Sequence, residues 1–438
     1  MVVASHPAGL APSASLPRRS SAVITILALL VPAMALISDI GGPIALYLGA
    51  LLSVMLIIAN IRQGWVPGDW RSLGPVALAL AAPFAAMLLA NAINGSWSNS
   101  EFEKLLRFAL AIPILWVLLR VPKPWLEHVQ WGFLISAFAG SAMLVVILCS
   151  PDLGRGAVSE FGGRYNAVAF ADLTLFFGFA CLLAIPVKLS RWPRCETSIK
   201  VLACIFSVVA MWVSETRSSW GLFVVLIVVL LLAKREWTWR TKTLFAVGAV
   251  LCLAIATALV WRSESSRFRE IVTDVQRYAE RDRDTSVGIR MQLWTAAGMM
   301  FKDHPIAGVG VANFRQELAE LKSQGVVTDV VAREFGEPHN DFIGAAAGYG
   351  LLGLLSILAL YFVPAAVFLR RAADRDQRIH TWATIGLLFT LGYAQFSLTE
   401  MMFRNMRSVP IYAVTTVILL ALTARPTPAL KSEVKQGG

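Results

Sequence analysis

Charge is scarce in this chain: Asp, Glu, Lys and Arg make up 15% of 438 residues, against 57% apolar side chains and a mean hydropathy of +0.64. So little charge cannot cover a water-soluble domain of this size, and a soluble globular protein is excluded. Cysteine is sparse too. Cys149, Cys181, Cys195, Cys204 and Cys252 form no C-x-x-C pair and lie in or beside apolar runs or in a short basic loop. Neither a disulfide framework nor a thiolate metal site is indicated. The apolar runs lack period-two alternation, so a transmembrane barrel is disfavoured and a helical bundle remains. No convincing internal repeat is found, which weakens an inverted-repeat transporter without eliminating it.

What is present is a series of twelve apolar runs, near 21–38, 44–61, 73–93, 102–120, 126–149, 166–187, 198–214, 218–233, 242–261, 340–369, 379–399 and 408–424. At about 20 residues per crossing these predict an all-α, polytopic integral membrane protein of about twelve transmembrane helices. The first run follows Arg18-Arg19 and lacks a convincing small-x-small cleavage site, so it reads as an uncleaved helix rather than a removed signal. The net charge of +11 sorts by loop. Both termini and every second connection hold 21 Lys and Arg, including Arg62, Lys188, Arg235, Arg375 and Lys431, whereas the short connections of the other set hold seven, among them Lys104, Arg107, Arg155 and Arg164. By the positive-inside rule both termini are cytoplasmic, and the basic excess orients the chain rather than binding nucleic acid.

One connection differs from the rest. Residues 262–338, on the outer side, are long, polar and balanced, with 11 basic against 12 acidic residues. Phe268, Ile271, Val272, Val275 and Tyr278 recur at helical spacing from Arg267 to Arg283. A second helix is expected from Val287 to Lys302, a break at His304-Pro305 and Gly308-x-Gly310, and a third helix from Asn313 to Gln324. The resulting organisation is a tail over 1–20, helices one to nine over 21–261, an outer helical domain over 262–338, helices ten to twelve over 339–424, and a tail over 425–438.

Three residues stand where chemistry is conceivable. His339, in Pro338-His339-Asn340, sits where the outer domain re-enters the membrane, with Pro338 expected near the first turn of the tenth helix. His339, Ile343, Ala346, Gly350 and Gly353 would share one helical face, and Gly344-x-x-x-Gly348 a second, so that a neighbouring helix approaches closely. A positive helix end and nearby arginines would keep the imidazole neutral and able to accept a proton; the plainer alternative is a capping or packing histidine. Arg217 lies in a very short outer turn, where an arginine needs a partner such as Glu215 or simply snorkels. Arg290 begins Arg290-Met291-Gln292-Leu293-Trp294 and otherwise reads as a solvated helix face. Two Asp-x-Asp triplets, Asp282-Arg283-Asp284 and Asp374-Arg375-Asp376, fit alternating surface charge better than a divalent-metal site. Glu103, Lys104, Arg107, Glu160, Arg164, Glu400, Arg404 and Arg407 are further outer charges whose place in a donor or acceptor cleft the sequence leaves open.

His339-Asn340, nine residues, then Gly350-Leu351-Leu352-Gly353 resembles the pattern of the O-antigen ligase and O-antigen polymerase superfamily, GT-C-like membrane glycosyltransferases. Arg217 in its short outer turn, Arg290 in Arg-x-x-x-Trp, and Pro305-Ile306-Ala307-Gly308-Val309-Gly310 match further family segments, as does the layout of twelve spans with one large outer loop before the tenth. The resemblance implies a lipopolysaccharide O-antigen ligase in the bacterial inner membrane. It would transfer a glycan from undecaprenyl diphosphate to a lipid A-core hydroxyl at the periplasmic face, inverting the anomeric centre without metal or other cofactor. It implies His339 as general base and Arg217 and Arg290 on the donor diphosphate. The partners expected are the two lipid-anchored substrates and membrane lipids, with no nucleic acid and no obligate protein partner evident. The rival readings are an O-antigen polymerase, a related lipid-linked-glycan or protein-glycosylating transferase, and, from another class, a lipid or solute transporter. The last would carry ionisable residues near mid-span, where almost none is found.

Overall fold

The computed structural model describes residues 16–61, 70–150, 167–262, 267–280, 282–403 and 407–425, and among them every regular element is a helix. All twelve apolar runs become helices: α1 (Arg18–Met34), α2 (Gly41–Ile61), α3 (Trp70–Asn94), α4 (Asn99–Leu118), α6 (Val129–Cys149) after the single turn α5 (Lys123–Leu126), α7 (Ala167–Leu183), α8 (Pro193–Ser214), α9 (Ser219–Ala233), α10 (Trp239–Arg262), α15 (Asp341–Arg371), α16 (Gln377–Phe396) and α17 (Ser408–Thr423). Five stretches, Gly41–Asn60, Leu73–Asn94, Lys123–Cys149, Pro193–Ser214 and Asp341–Arg371, are long and apolar enough to cross a membrane, and α7, α9 and α17 are apolar but shorter. Leu51, Met55 and Ile58 on α2 and Val247, Leu251 and Ile255 on α10 point outward unshielded, a surface that only lipid covers at low cost. The fold is that of a helical membrane protein. Arg62, Arg155, Glu160, Arg164, Arg281, Arg404, Lys431 and Lys435, with most of both terminal tails, lie outside the described residues.

The segment before α15 holds α11 (Arg267–Ala279), α12 (Ser286–Asp303), a 3-10 turn (Val311–Asn313), α13 (Phe314–Ser323) and α14 (Asp329–Glu334). Three expected helices are there; the short α14 was not expected. Thr328 opens it, its hydroxyl accepting from Val331 N–H, a cap signal too short-ranged to announce a helix with little apolar periodicity. Leu293, Ala296, Ala297, Met300, Phe314, Leu318 and Val331 form a small core that also takes in Ala347 of α15, so the segment packs onto that helix rather than standing apart.

The tenth apolar run departs from expectation. Asn340 is the N-cap of α15, its carboxamide oxygen accepting from Phe342 N–H at 2.9 Å and Ile343 N–H at 3.0 Å, so Pro338 stands two residues ahead of the cap and not in the first turn. The helix is broken at Gly350, with φ 64° and ψ −150°. The face drawn through His339, Ile343, Ala346, Gly350 and Gly353 therefore does not exist. An unbroken helix would pair Leu351 N–H with Ala347 C=O and Leu352 N–H with Gly348 C=O. Here Val309 and Gly310 donate to those two carbonyls at 2.9 and 3.0 Å, and the two N–H groups donate to Pro305 and Ile306 oxygens at 2.8 and 3.4 Å. The Pro305–Gly310 strip is thus spliced into the helix, and these four backbone groups are paired across the break. The second small-residue surface faces loops instead of a helix: a Cβ on Gly344 would meet Met401 at 2.8 Å, and one on Gly348 would meet Val311 at 2.6 Å.

Beneath the kink lies an aromatic core. Tyr361 of α15 stacks on Phe403 at 5.4 Å, Tyr393 of α16 meets Tyr412 of α17 at 4.9 Å, and Phe108 of α4 closes on Phe403 at 4.9 Å. Each such pair contributes about 0.5–1.5 kcal/mol beyond its buried area. This core joins α4, α15, α16 and α17 beside the start of α15, whose Phe342 ring lies 5.5 Å from that of Tyr361. Because a Cβ on Gly350 would stand 2.3 Å from the Ile306 carbonyl carbon at a positive φ, Gly350→Ala should cost on the order of 3 kcal/mol. Gly298→Ala, in the interior of α12 with nothing within 4 Å, should stabilise by about 0.4–1 kcal/mol. Thermal unfolding in detergent checks the contrast.

Candidate active site

His339 occupies a left-handed backbone position, φ 51°, between Pro338 and the N-cap. Such a conformation is unfavourable for a residue with a Cβ and persists only where its surroundings enforce it. Two sets of contacts do so. On one side, the Trp294 indole of α12 donates to the Pro338 carbonyl at 2.8 Å, and Phe335 packs edge-on to the imidazole at 5.8 Å. On the other, Asn340 Nδ2 donates to Leu398 O at 2.9 Å, and Asp341 N–H to Ser397 O at 3.0 Å. The Asp341 carboxylate then collects Ser397 Oγ at 2.8 Å, Met402 N–H at 3.1 Å and Tyr361 OH at 3.2 Å. The 397–403 loop is therefore bound to the start of α15, and it carries Glu400.

Glu400 Oε1 lies 3.3 Å from His339 Nδ1, and Glu337 Oε1 lies 3.9 Å from the same nitrogen. Burial would raise the Glu400 carboxyl, but the hydrogen bond and charge of His339, the Met401 N–H and the charge of Arg290 more than offset this and hold it below the usual glutamate range. An ionised carboxylate only accepts, so Nδ1 is the donor of this contact, and Nε2 is the ring nitrogen left to accept a proton in the neutral tautomer. The His339 side chain keeps 21% of its surface open, against 6% for Glu400, so the pair is anchored at its carboxylate and accessible at its imidazole. The arginines expected to dominate around His339 are not its nearest charged neighbours; two carboxylates are.

Arg290 precedes Trp294 by one helical turn on α12, so the two side chains share a face, and Trp294 turns that face to the His339 loop. Arg290 acts electrostatically on Glu400, and its Nε is buried without a hydrogen-bond partner among the described residues. A buried guanidinium N–H left open beside an imidazole–carboxylate pair suits an oxyanion that arrives with a ligand. Arg217 is half-buried in the turn between α8 and α9, which Gln395 ties to the end of α16 by donating Nε2–H to Ser218 O at 3.0 Å. Glu215, its expected partner, instead closes α8 in a left-handed conformation with its side chain exposed.

The other candidates have partners of their own. Arg277 holds Asp282, and Asp284 accepts from Thr328 Oγ1 at 2.5 Å; Asp374 accepts from Arg425 at 2.9 Å, and Asp376 caps α16. Both Asp-x-Asp triplets thus serve local structure. Glu103 pairs with Arg107 at 2.6 Å, Lys104 with Glu101, and Arg407 with Asp39 at 3.4 Å. A grouping not read from the sequence is Glu337–His339–Glu400, whose ligand atoms lie within 4.8 Å of one another and so offer a possible divalent-cation set. Glu400 is 61 residues from His339, and only the bonds of Asn340 and Asp341 to the 397–403 loop reveal the pairing.

Asn340 carries both the helix cap and the tie to that loop. Asn340→Asp should keep the cap yet lose the Leu398 bond and loosen the loop, whereas Asn340→Ala should lose both, at about 1–2 kcal/mol in stability. Protease sensitivity within 397–403, read beside thermal unfolding, separates the two.

Residues 202–358, which contain Arg217, Arg290, His339 and the Gly350 break, match the family model described as O-antigen ligase. An uncharacterized protein of Haemophilus influenzae is 24% identical over 206 residues, 45% of this chain and 50% of its own length. An O-antigen ligase of Escherichia coli K12 is 25% identical over 218 residues, 47% of each chain. The chain thus spans about half the length of the curated relatives it matches. The segment that carries Arg217, Arg290, His339 and the Gly350 break is thus the segment that is similar to the O-antigen ligase family model.

Proposed function

We propose that this protein transfers a glycan from a polyprenyl diphosphate carrier to a hydroxyl of lipid A-core at the periplasmic face of the bacterial inner membrane. The observation that carries the reading is the His339–Glu400 pair with the open Nε of Arg290 beside it. A sugar on a lipid diphosphate is already activated, because its leaving group is a stable anion. The acceptor oxygen attacks the anomeric carbon as the carbon–oxygen bond to phosphate breaks, and one displacement inverts that centre. His339 Nε2 takes the acceptor proton, and Glu400 stabilises the imidazolium that results. Arg290 and Arg217 receive the growing negative charge on the departing diphosphate.

No step requires a metal, and the reaction is proposed to run without one, with Glu337 and Glu400 acting on the imidazole and not on a cation. The twelve apolar helices serve as crossings, both termini lie in the cytoplasm, and 262–338 stands outside; the 21-to-7 distribution of basic residues supports this. Residues 351–371 alone span about 31 Å at 1.5 Å per residue, a full hydrocarbon thickness. On this reading Asp341–Tyr349 folds back beside the outer half of that span, as the Tyr361–Asp341 hydrogen bond and the Phe342–Tyr361 contact require, and the base is held on the outer side of the bundle, where two lipid-anchored substrates meet.

His339→Gln, Glu400→Gln and Arg290→Ala separate the roles when donor binding and glycan transfer are scored on equally expressed protein. His339→Gln should bind donor and lose transfer by roughly 10²-fold or more, and Glu400→Gln should bind donor and lose about tenfold or more. Arg290→Ala should lose about 2–4 kcal/mol in kcat/KM, with Lys restoring only part, since it lacks the planar fork. Near-normal transfer by His339→Gln would make the histidine structural and overturn the mechanism.

A further inference from the structure

The sixth apolar run contains a carboxylate that the proposed mechanism does not use. Asp172 sits in the second turn of α7, Ala-Val-Ala-Phe-Ala-Asp-Leu-Thr-Leu, and is fully buried. An acidic side chain within an apolar helix is costly, and such residues persist where they serve a site or a partner. Its hydrogen-bond partners among the described residues are two hydroxyls of one turn. Ser219 Oγ donates to Oδ1 at 2.5 Å, and Ser218 Oγ lies 3.0 Å from both carboxylate oxygens. These serines directly follow Arg217.

The rest of that turn is held as firmly. Before Arg217, Thr216 is buried and accepts from Ser214 Oγ at 2.8 Å. After it, Gln395 donates to Ser218 O at 3.0 Å, and Gly221 leaves the space that Gln395 fills, since a Cβ there would lie 2.4 Å from the Gln395 amide carbon. The backbone directly after Arg217 is therefore pinned twice, by α7 through Asp172 and by α16 through Gln395, while the Ser214–Thr216 bond holds the residue before it. Asp172 also feels the charge of Glu400, which puts the turn within electrostatic reach of the His339 pair. A negative group at the start of α9 is favoured by the helix dipole as well.

We propose that Asp172 is a positioning residue for the donor diphosphate: its carboxylate locks the Ser218–Ser219 step so that Arg217 is presented to the phosphates from a rigid backbone. This rests on the reading of Arg217 as a diphosphate ligand. Asp172 itself touches no substrate. Its loss leaves the guanidinium in place chemically but lets the turn wander, so the effect falls on donor capture and not on proton removal.

The test uses the full chain in detergent or nanodiscs, with a polyprenyl-diphosphate-linked glycan as donor and lipid A-core as acceptor. Asp172→Ala should raise the donor KM about tenfold or more with acceptor KM little changed, and the isosteric Asp172→Asn, whose carboxamide oxygen still accepts from a serine, should recover most of the loss. In an Arg217→Ala background either Asp172 variant should add less than about twofold, because the two residues act through one contact. A general loss of packing would instead lower kcat and both KM-based rates together, and equally in either background; that pattern, or an unchanged donor KM in Asp172→Asn and Asp172→Ala alike, overturns the positioning role. Arg217→Ala alone keeps the premises apart. An unaltered donor KM there overturns the reading of Arg217 and the positioning role with it, whereas a raised donor KM beside an unaltered one in the Asp172 variants overturns only the latter. Should Asp172→Ala not fold, the double variant Ser218→Ala with Ser219→Ala, which removes the two hydroxyls that Asp172 accepts from, should raise the donor KM in the same way, and an unchanged donor KM there overturns the positioning role.

Discussion

Four hydrogen bonds between the broken middle of α15 and the Pro305–Gly310 strip hold the rest of the site in register. A helix interrupted near the membrane exposes two donors and two acceptors that lipid cannot satisfy, so the break is stable only with another backbone spliced in. Gly350 provides the turn, and the Pro305–Gly310 strip, itself kinked at Gly308 and Gly310, provides the partners. The outer segment is thereby attached to the bundle through its backbone, independently of any particular side chain.

From that attachment two arms reach His339. One runs through α12, where Trp294 reaches the Pro338 carbonyl and Arg290 is carried on the same face. The other runs through the Asp341 carboxylate, which gathers Ser397, Met402 and Tyr361 and so sets the loop that bears Glu400. Fixed from both sides, His339 holds a left-handed backbone that would otherwise relax. The imidazole is rigid because its neighbours are; its own helix face contributes little.

Much of this was legible in the sequence, for identifiable reasons. Apolar length marked every helix of the bundle, and the Gly350-Leu351-Leu352-Gly353 signal marked the right place with the wrong explanation. Read as small residues at helical spacing, it suggested a smooth packing face. In fact Gly350 is needed for its backbone angle, and Gly353 for the space a Cβ would take, 2.4 Å from Ala345 O. Periodicity cannot distinguish a glycine that packs from one that bends. His339, Arg290 and Arg217 stood out through motifs of local spacing. Glu400 appeared only as one outer charge among several, because its pairing with His339 depends on hydrogen bonds between segments about 60 residues apart, which no local pattern encodes. Asp172 was hidden for the same reason: within an apolar run a single carboxylate shows its use only when Ser218 and Ser219 are seen against it.

The central claim is that this assembly moves a glycan from a lipid diphosphate to lipid A-core, with imidazole and guanidinium groups doing the chemistry. Its most direct test is a reaction of the purified protein with a polyprenyl-diphosphate-linked glycan and lipid A-core in the presence of excess chelator, with products separated by mass. The account predicts glycan joined to the core and free polyprenyl diphosphate in equal amount. Longer lipid-linked glycan with the core unmodified would contradict the acceptor, and transfer that stops on chelation and returns with a divalent cation would contradict the role given to Glu337, His339 and Glu400.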